Sequence, residues 1–164
     1  MYTVGILTAS DSGFKGIRED LSGCLIKEFM AQRNYEIQYY KVLPDEIEGL
    51  KDTMIYLCDT LKVNLILTTG GTGFSKRDVT PEATKMVIEK EAMGISEAIR
   101  YYGLLKTSRA MLSRGVSGIR KNTLIVNLPG SHKAVRESLD AIMDGLHHGL
   151  EILNGDVKEC GQNK

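Results

Sequence analysis

The segment Val63–Thr68 is apolar almost throughout and runs directly into Thr69-Gly70-Gly71-Thr72-Gly73. A short strand without polar alternation belongs in a sheet covered on both faces, so helices must lie above and below it. Downstream, Thr80-Pro81-Glu82 reads as a helix start: threonine as N-cap, proline at the first helical position, and an acid near the positive dipole end. Strand, glycine turn and capped helix make a βα unit. No other stretch constrains the fold as strongly.

The same alternation extends in both directions. Tyr2–Thr8 is a first strand ending at Ser10-Asp11-Ser12-Gly13, and Leu25, Ile26, Phe29 and Met30 have helical spacing within Ser22–Gln32. Tyr35–Leu43 is a second strand stopped by Pro44. Ile47, Leu50, Met54, Ile55, Leu57 and Leu61 lie along one broad helical face, with Asp45 positioned to cap it. After the glycine loop, helix is predicted to about Glu91 and again over Ile95–Leu105, while Arg109–Ser113 is ambiguous. Val116–Arg120 and Thr123–Leu128 are two strands joined at Lys121-Asn122, and Lys133–Leu153 is a closing helix that Gly145 and Gly149 would kink or split. The pattern predicts an α/β fold with a mostly parallel sheet, helices on both faces and an antiparallel edge. Residues 1–154 are expected to form a single domain, followed by a polar tail over 155–164.

Charge narrows the functional classes. The 21 basic and 21 acidic residues cancel, so no global field draws the chain to nucleic acid or a membrane surface. Any anion must be bound by a local arrangement. No apolar run approaches the roughly 20 residues that span a bilayer. Cys24, Cys58 and Cys160 lack metal-ligand spacing and suit reduced thiols. With Met1 leading straight into a strand and no secretory pattern, the expected location is the cytoplasm.

Loops Ala9–Arg18, Pro44–Glu46, Gly70–Thr80 and Asn127–His132 all follow strands. Ligands in parallel sheets bind outside the carboxyl ends of strands, so these loops should converge on one edge. The glycine loop matches neither G-x-x-x-x-G-K-[ST] nor G-x-G-x-x-G. Its exposed backbone beside a helix start, with Lys76, Arg77 and Asp78, still reads as a phosphate site. Asp78 has two readings: a partner of Arg77, Lys76 or the helix cap, or a ligand to a divalent cation bridging phosphate oxygens. Asp45 is either a plain N-cap or part of the site, and Asp11 and Asp20 are equally compatible with solvated turns. Asn127-Leu128-Pro129-Gly130-Ser131 is a second anion-receptive turn, and a bound anion would explain Lys133 and Arg136 near a helix start. Ser12, Ser75 and Ser131 lack a paired histidine for nucleophilic chemistry. His147-His148 read as surface residues and Met86 and Met93 as packing residues.

These residues resemble a known family. Thr68-Thr69-Gly70-Gly71-Thr72-Gly73 followed by Lys76-Arg77-Asp78-Val79-Thr80-Pro81-Glu82-Ala83-Thr84 is similar to the signature of molybdenum-cofactor biosynthesis proteins of the MogA/MoaB type, shared by the G domain of gephyrin. Matches run along almost the whole chain, through Ser10-Asp11, Gly16, Arg18, Asp20, Ser22-Gly23, Pro44-Asp45, Ser113-Arg114 and Asn127–Ser131; His132 stands where proline is often found. The resemblance implies a three-layer α/β/α domain that assembles as a homotrimer. It implies a molybdopterin adenylyltransferase, in which the terminal phosphate of molybdopterin attacks the α-phosphate of ATP and releases pyrophosphate. Asp45 and Asp78 would bind Mg2+ and position the reacting phosphates, and Lys76 and Arg77 would stabilise developing charge. Gly70, Gly71, Thr72 and Gly73 would cradle phosphate, with Ser12, Ser75, Pro129, Gly130 and Ser131 orienting the pterin or nucleotide. A molybdate-inserting protein would take the product. The alternative within the family is a MoaB-type pterin carrier without catalysis.

Overall fold

The computed structural model describes residues Met1–Asp156; residues 157–164 of the expected polar tail, Cys160 among them, lie outside the described residues. Strands β1 (Thr3–Ala9), β2 (Glu36–Leu43), β3 (Leu65–Thr69), β4 (Lys90–Glu91), β5 (Ser117–Arg120) and β6 (Thr123–Leu128) form one sheet in the order β2-β1-β3-β6-β5-β4. The β2, β1, β3 and β6 strands are parallel, whereas β5 runs antiparallel to β6 and β4 antiparallel to β5. The helices are α1 (Asp11–Phe14), α2 (Leu21–Ala31), α3 (Ile47–Tyr56), α4 (Thr80–Lys85), α5 (Met93–Leu104) and α6 (His132–Asn154).

Side-chain alternation along the central strands divides the core in two. Val4, Ile6, Leu65, Leu67, Leu124 and Val126 face α2, α5 and α6, with Ile26, Phe29, Ile99, Leu139 and Leu146. Leu7, Ile66 and Ile125 face the opposite way, onto Leu50, Met54 and Ala83 of α3 and α4. Every residue of β3 and β6 is buried, as a strand covered on both faces requires. The three-layer α/β/α architecture is therefore present. Chain order reverses between β1 and β3, since the connection from β1 leads to β2 on one side and that from β3 leads toward β6 on the other. That switch point opens a crevice at the carboxyl edge.

The structure corrects several local expectations. Helix after the glycine loop stops at Lys85 instead of reaching Glu91, because Lys90 and Glu91 pair with Ile119 and Gly118 of β5. Edge pairing of the sheet overrides helical propensity there. Thr80 is not the cap: Val79 occupies that position, and the helix entry is held by Thr80 N donating to Gly71 O at 3.1 Å. Asp45 does not cap α3 either, since Glu46 precedes the helix and the Asp45 carboxylate is engaged elsewhere. The turns of α3 continue to Leu61 as a π-helical segment, and Ser108–Leu112 is a 3-10 turn. Gly145 and Gly149 do not interrupt α6. Its continuous stripe of Val135, Leu139, Ile142, Leu146 and Leu150 outweighs the roughly 1 kcal/mol that each glycine costs. Met86 and Met93 are each 60% exposed and do not pack in this chain's core.

Candidate active site

The loops expected at one edge do converge there. Gly70 follows β3 directly with φ 86°, and a Cβ on it would lie 2.4 Å from Ala9 O at the end of β1. Gly71 has φ 64°, and a Cβ on it would meet Thr80 Oγ1 at 2.4 Å and Asp45 Oδ1 at 3.1 Å. Both positions combine left-handed backbone with backbone or side chains at contact distance, which only glycine accommodates without strain. The glycine pair thus lets the loop after β3 cross over the ends of β1 and β2.

Asp11 and Asp45 clasp one another through the backbone. Asp11 N donates to Asp45 Oδ2 at 2.9 Å, and Asp45 N donates to Asp11 Oδ1 at 3.0 Å. Arg77 completes the clasp from the glycine loop, its Nε and Nη2 each 2.9 Å from the two Asp11 oxygens. Arg77 therefore pairs with Asp11, not with Asp78. That guanidinium, with the Asp45 amide, holds the Asp11 carboxyl below the usual carboxylate range. Asp45 behaves oppositely. Burial pushes its carboxyl up, and the nearby negative charges of Asp11 and Asp78 push the same way. Asp78 accepts from Ser75 N at 2.8 Å, so its carboxylate is fixed by its own loop.

Three carboxylates around one salt-bridged arginine leave excess negative charge beside a loop suited to phosphate. A divalent cation would resolve that conflict. Among the described residues, no group of three or more His, Cys, Asp or Glu is arranged to hold a metal alone. The donor set fits an ion like Mg2+, which takes one or two carboxylates and completes its shell with substrate phosphate and water. Thr80 Oγ1, fully buried beside Gly71, is the one buried side-chain polar atom without a hydrogen-bond partner among the described residues.

Two clefts open on either side of this junction. The first, about 520 Å³, is lined by Gly71, Thr72, Gly73 and Asp78 at one end and continues between α5 and α6. The second, about 350 Å³, lies over Thr8–Ser10, Arg18, Ser22, Gly70 and His132. Pro129 lines the first cleft, whereas Gly130 and Ser131 line both and form the wall between them. Thr69 Oγ1 donates to Pro129 O at 2.6 Å and Ser22 Oγ to Gly130 O at 2.9 Å, which seats that wall on its neighbours. Ser131 caps α6, accepting from Ala134 N. Ser12, Ser75, Lys76 and Arg77 line neither cleft; Ser75, Lys76 and Arg77 form the exposed rim of the loop.

Sequence reading missed Arg114 as a working part of the site. Its Nε donates to Gly73 O at 2.7 Å, Nη2 to Asp78 O at 2.7 Å, and Nη1 pairs with Glu82. Its backbone N also donates to Thr72 O at 2.8 Å. One side chain spans both ends of the segment carrying Ser75, Lys76 and Arg77. Asp20 is not a solvated turn residue: it caps α2 and accepts from Thr8 Oγ1 and Tyr40 Oη at 2.6 and 2.7 Å.

Comparison with known proteins agrees with this geometry. A family model described as a probable molybdopterin binding domain matches residues 5–148. The chain is 38% identical over 161 residues to a molybdopterin adenylyltransferase of Helicobacter pylori (strain ATCC 700392 / 26695), covering 97% of this chain and 92% of that protein. It is 36% identical over 155 residues to the Escherichia coli K12 molybdopterin adenylyltransferase, covering 93% and 78% respectively. A crystal structure of the molybdopterin biosynthesis enzyme MoaB from Thermus thermophilus superposes with a TM-score of 0.90 at 46% identity, covering 94% of this chain and 98% of that one. With this sheet order, these two clefts and these relatives, the chain belongs to the MogA/MoaB family of molybdenum-cofactor biosynthesis proteins.

Proposed function

We propose that this protein is a molybdopterin adenylyltransferase, acting within residues 1–154. The observation that carries the reading is the pair of clefts meeting at the Gly130–Ser131 wall, beside a carboxylate cluster that calls for a cation. Two anionic substrates that must exchange a phosphoryl bond need two pockets with one shared edge. A terminal phosphate oxygen of molybdopterin attacks the α-phosphorus of ATP. The new P–O bond forms as the bond to the bridging oxygen breaks, and pyrophosphate leaves.

Asp45 and Asp78 would hold Mg2+, which neutralises the phosphates when bound. Gly70, Gly71, Thr72 and Gly73 present backbone to phosphate. Arg77, released from Asp11, and Lys76 on the rim supply positive charge to the departing pyrophosphate. Arg77 is paired with Asp11, so its contribution requires an exchange of partners. No protein nucleophile takes part.

The assembly proposed is a homotrimer in the cytoplasm that delivers its product to a molybdate-inserting protein. Tyr101, Leu105, Met111 and Leu112 support self-association, being exposed apolar side chains on α5 and the turn after it. No helix of the described residues is long and apolar enough to cross a membrane.

Incubation with molybdopterin and MgATP should release pyrophosphate, and Asp78→Ala should lower the rate on the order of a hundredfold or more. Tight pterin binding with no pyrophosphate, where an active relative turns over, would replace the enzyme with a carrier.

A further inference from the structure

Thr80 carries a hydroxyl that the fold does not use. The residue is fully buried, and its Oγ1 is the one buried side-chain polar atom without a hydrogen-bond partner among the described residues. It does not cap α4, because Val79 holds that position and the helix has no side-chain cap bond. Thr84, one turn on and equally buried, shows the contrast: its hydroxyl donates to Thr80 O at 2.8 Å and accepts from Asn127 Nδ2 at 2.9 Å. A buried hydroxyl without a partner has lost water and gained nothing. Valine, of the same shape, would serve the fold better.

A partner stands close by. A Cβ on Gly71 would lie 2.4 Å from Thr80 Oγ1 and 3.1 Å from Asp45 Oδ1, so one point touches both groups. Asp45 is bonded through its other oxygen, Oδ2, which accepts from Asp11 N at 2.9 Å; Oδ1 accepts nothing among the described residues. A donor without an acceptor and an acceptor without a donor therefore border the same notch, kept open because residue 71 has no side chain. Backbone bonds hold both walls: Thr80 N donates to Gly71 O at 3.1 Å, and Asp45 N to Asp11 Oδ1 at 3.0 Å. Side-chain torsions are what is left to bring the two groups together.

We infer that Thr80 is a positioning residue for Asp45, its hydroxyl donating to Asp45 Oδ1 to hold the carboxylate in one orientation for the cation. The inference rests on the adenylyltransferase reading, in which Asp45 helps to hold Mg2+. Each carboxylate oxygen has two lone pairs, so Oδ1 can accept from Thr80 and still serve a cation. Carboxylates that bind metals are themselves fixed by hydrogen bonds, and losing such a partner costs roughly ten- to a hundredfold in metal affinity. With Asp11 N on Oδ2 and Thr80 on Oδ1, neither oxygen could turn away. Thr80 itself is sealed from solvent, so it acts through Asp45 and not on a substrate.

ATP binding without molybdopterin tests this in the absence of turnover. Calorimetry gives the ATP dissociation constant with Mg2+ and with EDTA, and their ratio is the gain that the cation supplies. Thr80→Val keeps the shape and removes the hydroxyl. It should reduce that gain on the order of tenfold, while affinity in EDTA stays within roughly twofold of wild type. Thr80→Ser should restore the gain. Without ligand, Thr80→Val should melt no lower than wild type, because it breaks no hydrogen bond. In an Asp45→Ala background it should add no further loss, since the two residues act as a pair. An unchanged gain in Thr80→Val overturns the inference, as does a second full loss on top of Asp45→Ala. A lower melting temperature with equal losses in Mg2+ and EDTA also overturns it, making Thr80 structural. Wild-type protein that binds no ATP under either condition overturns the adenylyltransferase reading and this inference with it, a result distinct from ATP binding whose Mg2+ gain ignores Thr80.

Discussion

The loop that follows β3 and the loop that follows β6 leave neighbouring parallel strands at one edge, yet opposite means hold them. The first is long, carries the charged chemistry, and depends on side chains from far along the chain: Arg114 on Gly73 and Asp78, and Asp11 on Arg77. The second is short and is seated by backbone carbonyls, with Thr69 on Pro129, Ser22 on Gly130, and the start of a 23-residue helix behind it. The contrast separates two requirements of phosphoryl transfer. One wall must be rigid, and one loop must be able to trade an internal ion pair for substrate charge.

The largest expected break in that contrast is Arg114→Ala. It strips donors from two carbonyls and one carboxylate, and should cost about 2–3 kcal/mol. The loss should appear as a lower urea midpoint and a fall in turnover. If turnover holds while stability falls, Arg114 supports the fold and not the loop. Gly70→Ala tests the crossing itself and should cost about 1–3 kcal/mol through left-handed backbone and collision with Ala9 O. Ser131→Ala removes the α6 cap from the wall that both clefts share and should cost about 1 kcal/mol in a denaturation series.

The smallest effect sharpens the electrostatics. Asp45→Asn should stabilise the protein at neutral pH, by under about 1 kcal/mol after solvent screening, while impairing catalysis. Because the folded-state pKa of Asp45 is raised, its stabilising contribution is complete below the ordinary value of 3.8 and is lost as pH rises through the folded value. The variant's advantage should therefore shrink as pH falls toward 3.8. Asp11 runs the other way: its depressed pKa gives stability above 3.8 that is lost as pH falls through the folded value. Melting curves for both carboxylate variants across acid pH would check the opposite slopes.

Much of the site was legible in the linear order. Strand–glycine–helix at Leu67–Thr80 and strand–turn–helix at Asn127–Lys133 are local patterns, and parallel pairing then puts their ends together. The partners of those loops were not legible. Asp78 lies one residue from Arg77 yet pairs with Ser75, while Arg77 reaches back 66 positions to Asp11. Lys90–Glu91 reads as helix because nothing local reveals the waiting edge of β5. Met86 and Met93 read as core because apolar spacing does not say which face meets a neighbour.

By itself the sequence determined which segments are strands covered on both faces, where glycine must stand, and which loops carry charge. Those properties follow from side-chain size, branching and backbone freedom, which act within a few residues. Only the tertiary structure decided that Asp45 serves Asp11 and not a helix cap, that Arg114 braces the glycine loop, and that two clefts share one wall. These depend on side chains 34 to 108 positions apart meeting where β1, β2, β3 and β6 end together, and no local preference encodes such a meeting.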